Sequence, residues 1–229
     1  MSKQSKCRIT ITKDGPYLVS GNVPLEEKII TSGETGNEYM DGRRYPQMEH
    51  YALCRCGQSK NMPFCDGEHQ KTCFDGSETA SRESFLNKAD VMEGPTLTLT
   101  DSEDLCAFAR FCHLDIGSVW EMTENSDDPE LKAGAIKAAC DCPAGRLVIW
   151  DNESKRPIEP SYEPSIVILQ DPSRGCSGPI WVRGGIPIQS SDGTDYEIRN
   201  RVTLCRCGQS ENKPFCDATH VTIEFGSKE

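Results

Sequence analysis

Short apolar runs separated by Gly and Pro turns dominate both ends of the chain. Residues 7–12 alternate apolar and polar side chains, as a half-buried strand does, and residues 165–169 form a continuous apolar run typical of a buried strand. Residues 15–25 and 178–188 share one pattern, in which a turn, a short apolar strand and a Gly turn precede a Pro-marked strand. The two ends are therefore predicted to be copies of one strand-rich module.

The middle of the chain has a different pattern. Residues 96–100 alternate like a strand, and Asp101 or Ser102 is suited to begin a helix directly after it. An acidic stretch that we interpret as a loop, residues 121–130, comes next. A second helix is expected to begin at Pro129, with Asp128 as its N-cap.

That second helix should run through Ala139 and end at Cys142-Pro143, because proline cannot continue a helix. Residues 146–150 then return as a strand, which makes the middle a compact strand–helix–helix–strand unit. We expect the insert of the first copy, residues 33–50, to be an exposed loop, since it is rich in Gly and charge. The chain as a whole is predicted to be α+β. Its modules are placed at residues 1–78, 94–151 and 164–229.

Composition narrows the class of protein. The net charge of −11 argues against nucleic acid as a partner, since phosphate binding needs concentrated Lys and Arg. The sequence has no apolar run of the roughly 20 residues that a membrane span needs, and its first residues do not look like a secretory leader. We therefore expect a cytoplasmic protein whose thirteen cysteines stay reduced, and reduced cysteines in such number favour metal binding.

The strongest signal is a run of cysteines that occurs twice. Cys-Arg-Cys-Gly-Gln-Ser begins each copy, and both copies continue through Pro-Phe-Cys-Asp to a histidine at identical spacing. A Cys-x-Cys pair can place two thiolates on one metal, and a cysteine and histidine four residues apart can hold another. The eight candidate ligands are Cys54, Cys56, Cys65 and His69, and Cys205, Cys207, Cys216 and His220. Three cysteines and one histidine are also a suitable ligand set for a single zinc ion.

The full motif, Cys-x-Cys-x2-Ser-x3-Pro-x-Cys-Asp-Gly-x-His, resembles the CDGSH iron–sulfur domain of the mitoNEET family. The resemblance implies that each copy binds a 2Fe-2S cluster through its three cysteines and its histidine. The copies depart from the family pattern at Glu68, where a small residue is usual, and at Ala218, where the family favours a glycine that readily takes positive φ. Neither position is a ligand.

The middle segment carries a second cysteine pattern. Cys106 and Cys112 lie six residues apart, and Cys142-Pro143 follows at a distance, with Ala109 where a further cysteine would stand. The arrangement resembles the divergent mono-cluster ferredoxin domain, whose three cysteines here would suit a 3Fe-4S cluster. A 4Fe-4S cluster would need a fourth ligand, for which His113 and Cys140 are the candidates. The alternative is a ferredoxin-like fold that has lost its cluster.

These motifs favour an iron–sulfur protein that transfers electrons to or from a protein redox partner. Storage of clusters, their transfer to an apo-protein acceptor, and redox or pH sensing are the alternative. The sequence has neither a nucleophile–base set nor a phosphate-binding loop, so we do not expect an enzyme. Since small family members dimerise through their strands, two copies on one chain would allow an internal pair, and a homodimer would not be required.

Overall fold

The computed structural model describes residues 7–226. Strands and short helices alternate, and sheet predominates. The strands of the first module are β1 (Arg8–Ile11), β2 (Tyr17–Ser20), β3 (Leu25–Ser32), β4 (Asn37–Arg44) and β5 (His50–Leu53). Those of the second are β12 (Ser165–Asp171), β13 (Cys176–Arg183), β14 (Ile188–Gln189) and β15 (Arg201–Leu204). Two short helices, α1 (Glu68–Lys71) and α5 (Thr219–Thr222), follow the two cysteine runs.

Between these modules lie helices, strands and connecting turns. The strands are β6 (Asp90–Glu93), β7 (Leu97–Asp101), β8 (His113–Leu114), β9 (Gly117–Ser118), β10 (Leu147–Asp151) and β11 (Pro157–Ile158). The helices are α2 (Phe85–Lys88), α3 (Val119–Glu124) and α4 (Pro129–Asp141). Mixed helix and sheet, with sheet predominant, is the predicted α+β class.

Each end module contributes strands to the sheet of the other: the second contributes β14, and the first contributes β3 and β4. One sheet has the order β14-β1-β2-β5, and the second has the order β15-β13-β12-β3-β4. In the first, β1 pairs in parallel with β14, so that Ile9 lies opposite Ile188. In the second, β12 pairs in parallel with β3, so that Ile166 lies opposite Leu25. The two repeats are therefore joined by main-chain pairing between their strands as well as by a common core.

That shared core follows from the alternation of side chains along the strands. Ile9 and Ile11 in β1, and Tyr17 and Val19 in β2, point to one face because successive strand residues face opposite sides. They pack with residues from the far end of the chain, among them Ile166, Ile168, Ile180, Val182, Ile188 and Leu204. A modest apolar content is thus concentrated in one core formed by both repeats.

The central unit has its own core. Its sheet, in the order β11-β10-β7-β6, is covered by α3 and α4, and Leu99, Met122, Ala135 and Ile149 are buried between them. The helix predicted from Pro129 is confirmed, with Asp128 accepting hydrogen bonds from the amides of the first turn. It ends at Asp141, immediately before the Cys142-Pro143 pair.

Two predicted loops are wrong in part. Within residues 33–50, β4 is a regular strand paired with β3, because edge pairing satisfies the backbone even where most side chains are polar. Within residues 121–130, Glu121–Glu124 belong to α3, where Ser118 and Glu121 form a reciprocal capping box. That Ser-x-x-Glu signature is visible in the sequence.

The helix predicted after Asp101 or Ser102 is also wrong. A single 3-10 turn, Glu103–Leu105, is followed by an irregular segment that carries Cys106 and Cys112. Phe108 and Arg110 have φ of 54° and 64° there, a left-handed conformation that no helix of L-residues continues. The segment folds back on itself instead of extending as a helix. No helix among residues 7–226 is long and apolar enough to cross a membrane.

Candidate metal centres

Each repeated cysteine run begins where a strand ends. Cys54 follows β5, and its amide donates to the carbonyl of Pro63 at 2.8 Å, while the amide of Cys65 donates back to Ala52 of the strand at 2.9 Å. Cys205 and Cys216 repeat both bonds, at 2.8 and 2.9 Å. The third cysteine of each run is thereby pinned beside the first two by main-chain bonds that do not depend on the side chains.

Polar side chains hold the turn of each run in the same way. The Ser59 hydroxyl donates to Phe64 at 2.6 Å and accepts from the Asn61 amide at 3.0 Å. Asp66 accepts from the amides of Lys60 and Glu68, which keeps the pKa of that carboxyl below its ordinary value. The second run repeats the turn with the equivalent residues Ser210 and Asp217. These are the roles that small hydroxyl and carboxylate residues play in tight turns.

The donor atoms meet in pairs. The Sγ atoms of Cys54 and Cys56 are 3.7 Å apart, and the Sγ of Cys65 is 3.4 Å from Nδ1 of His69. The corresponding distances in the second run are 3.6 Å for the thiol pair and 3.3 Å for the thiol–imidazole pair. Within residues 7–226, no group of three or more Cys, His, Asp or Glu side chains lies close enough together to hold one metal ion. The eight predicted site residues are brought together two by two.

The histidines stand on the short helices α1 and α5, which begin after a residue in the left-handed conformation. Gly67 has φ of 90°, and Ala218, at the equivalent position, has φ of 72°. The departure from glycine at Ala218 therefore leaves the backbone geometry unchanged. Each helix is closed by a phenylalanine whose amide donates to the histidine carbonyl, Phe74 to His69 and Phe225 to His220.

A buried arginine stands between the two cysteines of each Cys-x-Cys pair in the sequence. Arg55 is 1% exposed and donates to the carbonyl of Gly76, and Arg206 is 3% exposed and donates to those of Gly178 and Leu169. Their guanidinium groups also lie over the rings of Phe74 and Phe225. Burial lowers the pKa of Arg206 to about 10, so it remains a cation at neutral pH. A fixed positive charge of this kind favours thiolate over thiol nearby.

The two cysteine runs touch each other at two glycines. Gly57 has φ of 76°, and a Cβ atom on it would lie 2.4 Å from the carbonyl oxygen of Cys207. Gly208 has φ of 81°, and its Cβ would lie 2.5 Å from the carbonyl oxygen of Cys56. Glycine is required at both positions for two reasons: the backbone has positive φ, and the opposite run comes too close for a side chain.

The three cysteines of the central unit lie around one small cavity. Cys106, Cys112 and Cys142 line a space of about 30 Å³ together with the main chain between Cys106 and Cys112. Burial, and then the proximity of Cys142 and Cys106, raises the pKa of Cys112 to about 11. Phe108 and Arg110, with their positive φ, belong to the segment that wraps this cavity. Such turns can direct backbone N–H groups inward, as they do around phosphates and iron–sulfur clusters. The donor set and its cradle fit a cluster.

Comparison with known families agrees with this geometry. A family model described as "Iron-binding zinc finger CDGSH type" matches residues 14–70 and 177–221. A model described as "Divergent 4Fe-4S mono-cluster" matches residues 92–152. The chain is an iron–sulfur protein with two CDGSH regions around a divergent 4Fe-4S region. Searches among curated proteins and among solved structures found no match.

The two CDGSH sites differ in their surroundings. In the second, Cys216 and His220 are 3% and 4% exposed, whereas in the first Cys65 and His69 are only half-buried. Burial, with a smaller contribution from Arg206, lowers the pKa of His220 to about 4. The identical spacing of the two motifs gave no sign of this difference, because it arises from what packs against the second site.

The predicted fourth ligands of the central site lie outside its cavity. Cys140, in the last turn of α4, donates its thiol to the carbonyl of Ile158 at 3.6 Å and does not line the cavity. His113 is exposed, and its Nδ1 lies 3.2 Å from Cys112, so it contacts one thiol without lining the cavity. Of the two candidates, only His113 contacts the three-cysteine set.

The remaining thiols differ in exposure: Cys176 is buried, Cys7 is half-buried and Cys73 is exposed. It lies beside Cys56 on the wall of a groove of about 480 Å³. Sequence reasoning also missed Arg110, which forms a bidentate ion pair with buried Asp171 of the second CDGSH module, at 2.5 and 3.0 Å. Nothing in the sequence links those two residues, which lie sixty-one positions apart.

Proposed function

We propose that each CDGSH site holds a 2Fe-2S cluster through three thiolates and one imidazole, and that the protein transfers single electrons. The observation that carries the proposal is the pairing of the donors. Two thiols lie within 3.7 Å of each other, and a thiol and an imidazole lie within 3.4 Å, as two separate pairs. One pair for each of two irons suits a binuclear cluster.

The same geometry speaks against zinc at these sites. A structural zinc ion gathers four ligands at about 2.0–2.3 Å, so all four donors would converge on one point. In the part of the chain described, no three such donors converge in that way. The second run has the same two pairs of donor atoms, so the spacing in the first run is not accidental.

For the central site we propose a cluster held by Cys106, Cys112 and Cys142. These three thiols suit a 3Fe-4S cluster, and His113, next to Cys112, would be the fourth ligand of a 4Fe-4S cluster. The residues that line the cavity would bind the cluster and shield it from water. The thiols hold the iron, the apolar walls of Ala107 and Leu147 limit access of water, and the positively charged Arg146 lies on the rim.

Electron transfer is favoured because the three donor sets lie in series. Cys216 packs with Ala107 and Ala144, and Cys142 lies against them, so the central site adjoins the second CDGSH site. The second CDGSH run in turn contacts the first through Gly57 and Gly208. Iron–sulfur clusters supply one-electron chemistry, and the protein's part is to hold the sites close together and to set their surroundings. The partner would be another redox protein.

We further propose that the exchange of strands between the repeats is the single-chain counterpart of a dimer. Each sheet takes a parallel strand from the other repeat, β14 beside β1 and β3 beside β12, which supports an internal pair. On this proposal the chain needs no second copy to complete either site. It acts as a carrier and not as a self-contained enzyme.

Iron and inorganic sulfide analysis of the purified protein, with EPR of its oxidised and reduced forms, tests these assignments. We expect about seven or eight irons per chain with matching sulfide, of which about four belong to the CDGSH sites. About four irons would mean that the central site is empty. Zinc without sulfide would contradict the proposal. Reversible reduction without loss of the visible absorption would support electron transfer, whereas rapid loss to an apo-protein acceptor would support cluster transfer.

A further inference from the structure

The two CDGSH sites have the same ligands but different access to solvent. Cys216 and His220 are almost completely buried, at 3% and 4% exposure. Cys65 and His69, at equivalent positions of the first run, are half-buried. Their turns and hydrogen bonds match, so the difference comes from neighbouring parts of the chain.

The central unit covers the second site. Ala107 lies on the segment between Cys106 and Cys112, and it packs with Ala144 directly against Cys216. Three positions further along the same segment, Arg110 forms a bidentate ion pair with Asp171 of β12, and it reaches the Ser173 hydroxyl at 3.2 Å. The Asp171 side chain is 3% exposed. A bidentate arginine–carboxylate pair of this kind, with its carboxylate buried, is a strong and geometrically specific link.

This link fastens the segment that packs against Cys216 to β12 of the second module. Removing Arg110 would leave the buried Asp171 carboxylate without its charged partner, which destabilises the contact. Within residues 7–226, Cys65 and His69 of the first site are only half-buried. A groove of about 480 Å³ lies between the two runs, with Cys56 of the first and Gly208 of the second among its lining residues.

We propose that the Arg110–Asp171 pair clamps the central segment over the second CDGSH site, so that the second site keeps its cluster while a chelator or a competing thiol removes that of the first site through Cys65 and His69. The inference rests on the proposed function, in that both sites hold clusters. Removal by a thiol needs the competing thiolate to reach a ligand and replace it. The competing thiols lose the protons that the released ligands take up, and no oxidant or reductant is needed. A ligand enclosed as Cys216 is cannot be reached until the covering segment opens.

Pulsed alkylation with mass spectrometry tests the clamp on the full, iron-loaded chain. The protein is incubated with an iron chelator, and the thiols that become free are labelled at intervals. We expect Cys65 to be labelled faster than Cys216 by about tenfold or more, since Cys216 becomes accessible only through local opening. The visible absorption of the clusters should fall in two phases, a fast one at the labelling rate of Cys65 and a slow one at the labelling rate of Cys216. His69→Cys should remove the fast phase, and His220→Cys should leave it in place.

The clamp itself is tested with two arginine variants. Arg110→Met should bring the labelling rate of Cys216 up towards that of Cys65 and leave Cys65 unchanged. Arg174→Met is the matched control, because Arg174 also lies near the Phe108 ring but forms no ion pair within residues 7–226. It should leave both rates unchanged. Circular dichroism and thermal unfolding would show that the variants are folded. Asp171→Asn, which removes the other partner of the pair, provides a second variant if Arg110→Met does not fold.

Equal labelling rates at Cys65 and Cys216 in the unaltered chain would overturn the inference. So would an unchanged rate at Cys216 in both folded clamp variants. Because alkylation reports each thiol whatever metal it bound, this result is distinct from a failure of the proposed function. Zinc in place of iron and sulfide would contradict the cluster assignment, while the ratio of the two labelling rates would still decide whether the second site is clamped.

Discussion

At the scale of single residues, the glycines where the two cysteine runs meet are the most restrictive positions. We expect Gly57→Ala and Gly208→Ala each to reduce the iron content of both sites, because the new Cβ would meet the carbonyl oxygen of the opposite run at 2.4 or 2.5 Å. The left-handed backbone adds about 1–2 kcal/mol to the cost. Iron analysis and thermal unfolding would measure both effects.

Gly67→Ala is the matched control for those variants. Gly67 also has positive φ, of 90°, but a Cβ there would meet nothing within 4 Å, and Ala218 already occupies the equivalent position with φ of 72°. We expect it to keep its iron and to lose at most about 1–2 kcal/mol of stability, which for a chain of this size lowers Tm by roughly 2–8 °C. Iron loss equal to that of Gly57→Ala would contradict the role of the contact.

The cysteine and histidine spacing predicted which side chains would lie together, and the structure places them in two pairs per run. That they bind iron stays a prediction. The contact of Gly57 with Cys207 could not be predicted in this way, since it depends on how runs separated by about one hundred and fifty residues dock. The same holds for Arg110 and Asp171. Local spacing determines a ligand set, whereas its surroundings depend on tertiary packing.

At the scale of elements, the linker after the first CDGSH run is attached to the second module by Glu78. This carboxylate accepts from the amide and hydroxyl of Ser191 and from the hydroxyl of Tyr196, and its side chain is 6% exposed. Burial alone would raise its pKa, but these hydrogen bonds lower the pKa below the ordinary 4.5. Its stabilising contribution is therefore present above about pH 4.5 and is lost as the pH falls through the lower value in the folded protein.

Glu78→Gln should cost about 1–3 kcal/mol at neutral pH, because hydrogen-bonded charge is lost from a buried site. The difference from the unaltered protein should shrink as the pH falls below 4.5, where Glu78 itself becomes protonated. Denaturant unfolding at a series of pH values measures this. Glu83→Gln, at an exposed position of the same linker, should have little effect at any pH. A pH-independent deficit for Glu78→Gln would show that shape, and not charge, matters there.

How far the elements could be predicted depended on the signal each one carries. The helix from Pro129 had a cap, a proline at its first position and a proline after its end, and it was found there. Strand β4 was missed because its side chains are mostly polar and show no apolar pattern. It forms because its backbone pairs with β3. The helix expected after Asp101 fails because the chain instead folds around the thiols of Cys106 and Cys112.

At the scale of the whole molecule, the exchange of strands has a consequence for assembly. Strands β1 and β14, and β3 and β12, are already paired within one chain, so the parallel edges that a second copy would use are occupied. One outer edge, β4, carries Glu38, Asp41, Arg43 and Arg44, and charged side chains on an edge strand oppose pairing with another chain. At one edge of the other sheet, β14 is only two residues long, and at its opposite edge β5 has four residues.

We therefore expect a monomer of 25.4 kDa in solution, with a mass by light scattering that does not change over a wide range of protein concentration. The internal pair also implies that neither CDGSH module is complete alone, because one sheet would lose β14, the other would lose β3 and β4, and both would lose part of the common core. A chain cut in the exposed stretch at residues 153–156, after β10, should keep its two pieces together through gel filtration. A species of twice the mass would contradict this. In such a dimer, β14 would pair with β1 of the other chain, and β3 with β12 of the other chain, so the same strand contacts would form between molecules.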